Sequence, residues 1–253
     1  MRVAVVGGTG RVGRPLVGLL RRAGHEPVVV ARSTGADVVT GRGLDGALAG
    51  CASVVDVSGP SWLSTRSPHE LERFFAAGAD RVAAAARRAG AEHHVVLSVV
   101  GLDRIAGPPL FAGKRAQEER ARRGAVRTTV VRATAPHEVG ADTAALTREG
   151  GSARVPPLLV QPVAAADLAE LLARVAVGPP RGLVEVAGPR TEDLVDMARR
   201  TLAARREPLD LHASWRGTPF GADAAGEVLL PGPRAQLLET TFDSWLLDTW
   251  VPA

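Results

Sequence analysis

Over the first half of the chain, apolar residues fall into short unbroken runs, each followed by a stretch with helical spacing. Residues 3–6 form such a run, and beyond it Val12, Leu16, Leu19 and Leu20 stand at i, i+4, i+7 and i+8 before Gly24 breaks the pattern. A four-residue run bounded by glycine fits a buried strand, and the spacing after it describes one face of a helix. Further strands are expected at 27–30, 53–57, 94–97 and 128–131. Between them, Ser67-Pro68-His69-Glu70 reads as a capping box with proline at the first helical position. It opens a helix through Leu71, Phe74, Phe75, Gly78 and Val82 that stops at Gly90. Alternating strands and helices imply an α/β fold, a Rossmann-type doubly wound parallel sheet.

After Arg132 the alternation weakens. A proline-rich stretch covers 155–162, then a helix is expected at 165–177, a strand at 183–187 and a helix at 191–204. We read residues 1–135 as a nucleotide-binding core and 136–253 as a small C-terminal α/β lobe on the substrate side, the two integrated as a single unit. Glycine and proline dominate 217–233, and an amphipathic end follows with Phe242, Trp245, Leu246 and Trp250. Its apolar face is expected to pack onto the lobe, with a homodimer contact as the alternative.

The chemistry is most legible at the first strand-to-helix junction, Gly7-x-x-Gly10-x-x-Gly13. A tight turn of this kind needs glycine where a Cβ would block the reversal of the chain, the approach of a pyrophosphate, or helix–sheet packing. Thr9, Arg11 and Val12 lie between the glycines, with Arg11 a second candidate phosphate contact. At the end of the second strand, where an acid would accept hydrogen bonds from both ribose hydroxyls of NAD, stand Arg32 and Ser33. No carboxylate occurs between Glu26 and Asp37, and an arginine fork suits a 2′-phosphate, so NADP(H) is the expected cofactor. A solvated surface arginine is the plainer account of Arg32.

Composition narrows the remaining classes. Hydrophobic residues at 45% and charged residues at 23% are ordinary for a globular protein, and 253 residues can bury a substantial core. The 31 basic side chains exceed the 27 acidic ones by only four, and the arginines are scattered in pairs such as Arg21-Arg22, Arg87-Arg88 and Arg122-Arg123. That distribution argues against a nucleic-acid partner. Met1 leads almost directly into a strand and no apolar run approaches membrane-spanning length, so a cytoplasmic protein with no membrane partner is expected. The single cysteine, Cys51, excludes an internal disulfide or a cysteine-based metal site and is expected to be small and buried. No metal site is expected.

The glycine turn, Arg32, VVDVSGP, VVLSVVG, FAGKRAQEE and VVRATAPHE follow one another in an order that resembles the atypical short-chain dehydrogenase/reductases. The likeness is greatest to their NmrA-like and NAD(P)H-binding, quinone-reductase-like branch, and QPVAAADLAELL and VEVAGPRT resemble its C-terminal lobe. The resemblance implies that Ser58 and Gly59 border the cofactor and that Ser98 borders the reacting carbon. It also implies that Lys114 holds the nicotinamide ribose. In active members of the superfamily a tyrosine precedes that lysine by four residues, one helical turn, and the ammonium lowers the phenol's pKa for proton exchange. Here Leu110 occupies that position, Phe111 follows it, and the chain contains no tyrosine.

Three readings survive this loss. In the first, the protein reduces a small molecule, such as a quinone or aromatic ketone, with NADPH, the proton coming from another acid or solvent; His137, after the strand VVRATAP, is the leading substitute. Alternatively, it binds NADP(H) without turnover as a redox sensor, or the pocket serves a specialised-metabolite reaction. Weaker candidates are Trp62 and Arg66 as cleft-lining residues and Asp103 as an acid–base group, with turn formation the plainer account of Asp103. His69 reads as an exposed first-turn residue, and Asp167 and Glu170 as helix-dipole charges. His93 and His94 point to opposite faces of a strand and cannot easily chelate one metal.

Overall fold

The computed structural model describes residues 1–60, 67–105 and 109–250. The chain alternates β1 (Arg2–Val6), α1 (Gly13–Arg22), β2 (Glu26–Val30), α2 (Leu44–Leu48), β3 (Ser53–Asp56), α3 (Pro68–Arg88), β4 (His93–Val99), α4 (Pro109–Arg123) and β5 (Arg127–Ala133). The second half contributes α5 (Val139–Leu146), β6 (Ser152–Val155), β7 (Leu159–Val160), α6 (Ala165–Val177), β8 (Gly182–Ala187), β9 (Glu192–Asp193), α7 (Leu194–Ala204), β10 (Asp210–Ala213), β11 (Gln236–Leu237) and α8 (Phe242–Trp250). Seven strands form one parallel sheet in the order β2-β1-β3-β4-β5-β8-β11. β6 and β10 form a two-stranded parallel pair, and β7 and β9 an antiparallel one.

The expected doubly wound α/β fold is present, and its strands read as unbroken apolar runs because both sheet faces are covered. Val3 and Val5 meet Leu16 and Leu20 of α1 and Leu168 and Leu172 of α6 on one face. Ala4, Val6 and Val54 meet Leu44 and Leu48 of α2 and Val82 and Ala86 of α3 on the other. From β1 the chain steps outward to β2, then crosses back to lay β3 on the opposite side of β1. That reversal opens a crevice beyond the carboxyl ends of β1 and β3, where open α/β sheets bind ligands.

β8 and β11 join the sheet of the first half, so the lobe and the core share one framework. A separate apolar cluster joins both halves of the chain: Leu158, Leu194, Met197 and Phe242 are fully buried in it, together with Leu102 and Phe111. Trp245 and Leu246 pack against that cluster, and Trp250 lies 4.5 Å from the Arg205 guanidinium. Helix α7 begins at Leu194, later than its apolar spacing suggests, because Asp193 Oδ1 caps it by accepting from Asp196 N at 2.9 Å. The Ser67–Glu70 capping box at the start of α3 is present in both directions. Asp167 lies in the first turn of α6, and its carboxylate also accepts from Thr240 N and Oγ1, both at 2.8 Å, fixing the approach to α8. Cys51 is buried. No helix among the described residues is long and apolar enough to cross a membrane.

Candidate functional site

At the end of β1 the chain reverses through Gly7, whose φ of +83° lies in the left-handed region that disfavours a side chain. A Cβ there would also sit 2.9 Å from Ser58 Cα and N, in the loop after β3. Gly7 N donates to Val30 O and Gly10 N to Gly7 O, both at 2.9 Å, locking the turn. Gly13 is the tightest position, since a Cβ would lie 2.2 Å from Gly7 O and 2.7 Å from Gly8 Cα. The first turn of α1 carries no acidic side chain, and Arg21 and Arg22 close its last turn, so the charges follow the helix dipole and leave the N-terminus receptive to an anion. Thr9, Gly10 and Arg11 are exposed on this loop and Val12 is half-buried.

Beyond β2, Arg32 and Ser33 lie exposed on a single 3₁₀ turn, closed by Thr34 Oγ1, which accepts from Ala31 N at 3.0 Å. Arg32 has no ion-pair partner among the described residues, whereas Asp37, the nearest following carboxylate, accepts from Val39 N at 2.7 Å in its own loop. The fork is therefore available to an anion, and the acid is not available to a ribose. Arg11 differs. Its guanidinium is paired with Asp142 on α5 at 2.9 Å and with Glu138 at 3.5 Å, linking the glycine turn to the lobe.

A cleft of about 430 Å³ runs from this turn towards the lobe. Gly10, Val12, Ser58 and Gly59 line it, as do Ser98, Lys114, Leu110 and Phe111. Ser98 is 2% exposed and its Oγ has no hydrogen-bond partner among the described residues. Lys114 is 7% exposed and is the only lysine in the chain. Its Nζ donates to Leu97 O at 2.8 Å and to Gln117 Oε1 at 2.9 Å, and lies 4.7 Å from the Phe75 ring centroid. Burial lowers the ammonium's pKa to about 8, against the opposing pull of Asp56 and Glu118. Leu110 brings an aliphatic side chain to the wall one helical turn before the lysine.

Next to Lys114 on α4, Glu118 forms a buried two-pronged pair with Arg132 of β5, at 2.9 Å to Nε and 2.8 Å to Nη2. Arg132 also holds the carboxylate of Asp103, whose pKa this hydrogen bond lowers. Asp103 thus has a structural partner beyond the turn in which it was expected. His93 Nε2 pairs with Thr129 Oγ1 at 2.8 Å, and His94 is buried; burial lowers the pKa of both. No cluster of metal-ligating side chains occurs among the described residues.

His137 does not line the cleft. It is 1% exposed, its Nε2 lies 3.2 Å from Thr240 O, and its ring packs 5.8 Å from Phe242 and 5.4 Å from Trp245, centroid to centroid. Burial lowers its pKa to about 4, so the neutral ring belongs to the apolar cluster around Phe242. A proton donor must reach the reacting atom, and His137, expected as the substitute acid, is buried and is not among the residues lining the cleft. Trp62 and Arg66 lie outside the described residues. The cleft residues that pattern reading missed are Phe220 and Leu229, from the glycine- and proline-rich segment. Gly101 admits Leu229: its φ is +86°, and a Cβ would lie 2.8 Å from Leu229 Cδ2 and from Val228 O. The glycine that ends VVLSVVG was the available signal.

The architecture is one seen among short-chain dehydrogenase/reductase superfamily proteins. No family model matches the chain, and no curated protein matches it. Among solved structures, it is similar to such a superfamily protein from Agrobacterium tumefaciens with bound NAD, at 17% identity and a TM-score of 0.70, covering 98% of this chain and 95% of that one. A Thermus thermophilus UDP-glucose 4-epimerase in complex with NAD is 17% identical with a TM-score of 0.66, covering 100% and 94% of the two chains. A dTDP-4-dehydrorhamnose reductase from Clostridium acetobutylicum is 14% identical with a TM-score of 0.67, covering 98% and 92%. At these identities the likeness is one of fold.

Proposed function

We propose that the protein is an NADP(H)-dependent oxidoreductase of the atypical short-chain dehydrogenase/reductase kind, acting on a quinone, an aromatic ketone or another apolar carbonyl compound. One observation carries this reading: the glycine turn and the pair Ser98 and Lys114 line a single continuous cleft. The turn suits a dinucleotide, since a Cβ at Gly7 or Gly13 would collide with neighbouring backbone and an exposed Arg32, without an ion-pair partner among the described residues, stands where a 2′-phosphate would lie. Similar structures hold NAD, which supports a nicotinamide dinucleotide, and Arg32 is the reason to assign the phosphorylated form.

A bound dihydronicotinamide would supply hydride. Within the chain, Ser98 Oγ, buried and without a hydrogen-bond partner among the described residues, would donate to a substrate carbonyl oxygen, and Lys114 Nζ would hold a ribose hydroxyl. Leu110 supplies no proton, which favours a quinone, whose reduced oxygen is weakly basic and takes its proton from solvent. Two of the similar structures are sugar-nucleotide enzymes by name. Among the described residues the cleft lining includes Val99, Phe111, Val160, Phe220 and Leu229, an apolar set, and its only cationic side chains are Lys114 and Arg11. Arg11, already paired, is not free to serve a second diphosphate.

Titration with NADPH and NADH, followed by NADPH oxidation with a panel of quinones and aromatic ketones, tests the proposal. Tighter binding of NADPH and turnover above background support it, and absence of binding by either dinucleotide overturns it. The specific observation of Leu110 in place of tyrosine favours a second reading, an NmrA-like NADP(H)-binding sensor without turnover. Tight NADPH binding with background oxidation across the panel selects it.

A further inference from the structure

The basic side chains of this protein are arginines with one exception, Lys114. Arginine is charged at all relevant pH values, whereas a buried lysine needs its surroundings to keep the ammonium in place. Those surroundings form a string of buried hydrogen bonds. Lys114 Nζ donates to Gln117 Oε1 at 2.9 Å, Gln117 Nε2 donates to Asp56 Oδ2 at 3.0 Å, and Asp56 Oδ1 accepts from Ser58 N at 2.9 Å. Asp56 and Gln117 are each 2% exposed. An ionised carboxylate only accepts and an ammonium only donates, so between them the amide has one allowed sense. The string ends at Ser58, the residue against which Gly7 of the phosphate turn packs.

Other charged groups around the lysine are engaged elsewhere. Glu118, on the same helix, is held by Arg132 and Arg122. From β4, His94 feels the charge of Asp56 while burial lowers its pKa, and α3 presents the Phe75 ring to the lysine. Asp56 is thus the carboxylate hydrogen-bonded to the lysine through one intervening side chain.

We infer that Asp56 and Gln117 are positioning residues of the cleft: the carboxylate sets the sense of the amide, and the amide carbonyl holds the Lys114 ammonium at the cleft wall, joined to the phosphate turn through Ser58. What the lysine is held for rests on the function proposed above. The string itself is a property of the protein without cofactor.

A single lysine makes the test direct, because protein grown with ¹⁵N- and ¹³C-labelled lysine carries one side-chain ammonium signal. In the wild type that signal is expected to exchange slowly with water and to titrate with a midpoint near 8. In D56N the new amide offers an N–H to Gln117, which turns over and points its own N–H groups at the ammonium; the midpoint falls by about one pH unit and exchange quickens by about tenfold. Q117E sets two carboxylates against each other and also disorders the string. The double variant D56N/Q117E restores the pattern with the same total charge. The introduced amide accepts from Ser58 N through its carbonyl and donates through its N–H to the introduced carboxylate, which in turn accepts from Lys114. Slow exchange therefore returns, with a midpoint at or above that of the wild type. Should D56N not fold, Gln117→Met, which keeps the length without polar atoms, is read in the same way. A wild-type lysine that exchanges freely and titrates near 10.5, a single variant indistinguishable from wild type, or a double variant showing the sum of the single losses overturns the inference. Dinucleotide titration of the same samples separates the two questions, since absence of NADPH binding by the wild type rejects the proposed function and leaves the ammonium measurement to decide the string.

Discussion

Replacing Gly13 by alanine sets two opposing effects against each other within one helix. Alanine gains up to about 1 kcal/mol over glycine in a helix interior, because glycine loses more backbone freedom on folding. At Gly13 the added Cβ would lie 2.2 Å from Gly7 O, 2.7 Å from Gly8 Cα and 2.9 Å from Gly7 C. All three are backbone atoms, and the turn they belong to is held by Gly7 N to Val30 O and Gly10 N to Gly7 O. Relief therefore means breaking the turn, and overpacking of this kind costs about 1–3 kcal/mol or more. Sterics win, with a net loss of about 2 kcal/mol. Gly18, five residues along the same helix, is the control, since its Cβ would meet only the flexible end of Arg22, at 3.3 Å. Gly18→Ala is expected to gain about 0.5–1 kcal/mol. At this chain length 1 kcal/mol moves the melting temperature by about 2–4 °C, so thermal unfolding separates the variants by about 5 °C or more. NADPH affinity should fall in Gly13→Ala alone. A Gly13→Ala protein as stable as Gly18→Ala would refute the account of the turn.

Arg32→Asp should weaken NADPH binding by about tenfold or more, as expected for loss of a charge-assisted phosphate contact, while changing NADH binding little; equal losses for the two dinucleotides reject the selective role. Glu118→Ala removes the buried partner of Arg132 and should cost about 3 kcal/mol by urea denaturation, whereas Glu119→Ala, whose partner Arg123 is exposed, should cost less than about 1 kcal/mol. His137 has a folded pKa of about 4, below its ordinary 6.5, so between those values the unfolded chain binds more protons. Its contribution is complete above about 6.5 and falls away as pH drops towards 4, on the order of 3 kcal/mol in all, and His137→Gln should flatten that part of the stability profile.

The parts of the molecule legible in the sequence are those set by local backbone requirements. The glycine turn announced itself because Gly10 and Gly13 answer to contacts within one strand–turn–helix unit and Gly7 to its own left-handed backbone, and the strands because a sheet covered on both faces needs unbroken apolar runs. The expected strands at 94–97 and 128–131 lie inside the longer β4 and β5. Their extensions carry His93, Ser98, Arg127 and Arg132, polar side chains whose place in a strand depends on neighbours that only the folded sheet supplies. The pairing of β6 with β10 had no comparable signal, since two four-residue strands far apart in the chain carry too little pattern to name each other.

The cleft shows the same division. Lys114 and Gln117 stand three residues apart and share a helix face, a relation visible in the sequence, but Asp56, 61 residues from Gln117, joins them only through the fold. His137 illustrates the converse, a histidine in a plausible loop whose ring the C-terminal aromatic residues draw into the apolar cluster around Phe242. For this site, then, the sequence position of a polar residue says which element carries it, while its chemistry depends on what buries it. Lys114 and His137 are both buried, and burial lowers the pKa of each. One lines the cleft and the other does not, which is why the lysine and not the histidine is the group to follow in experiment.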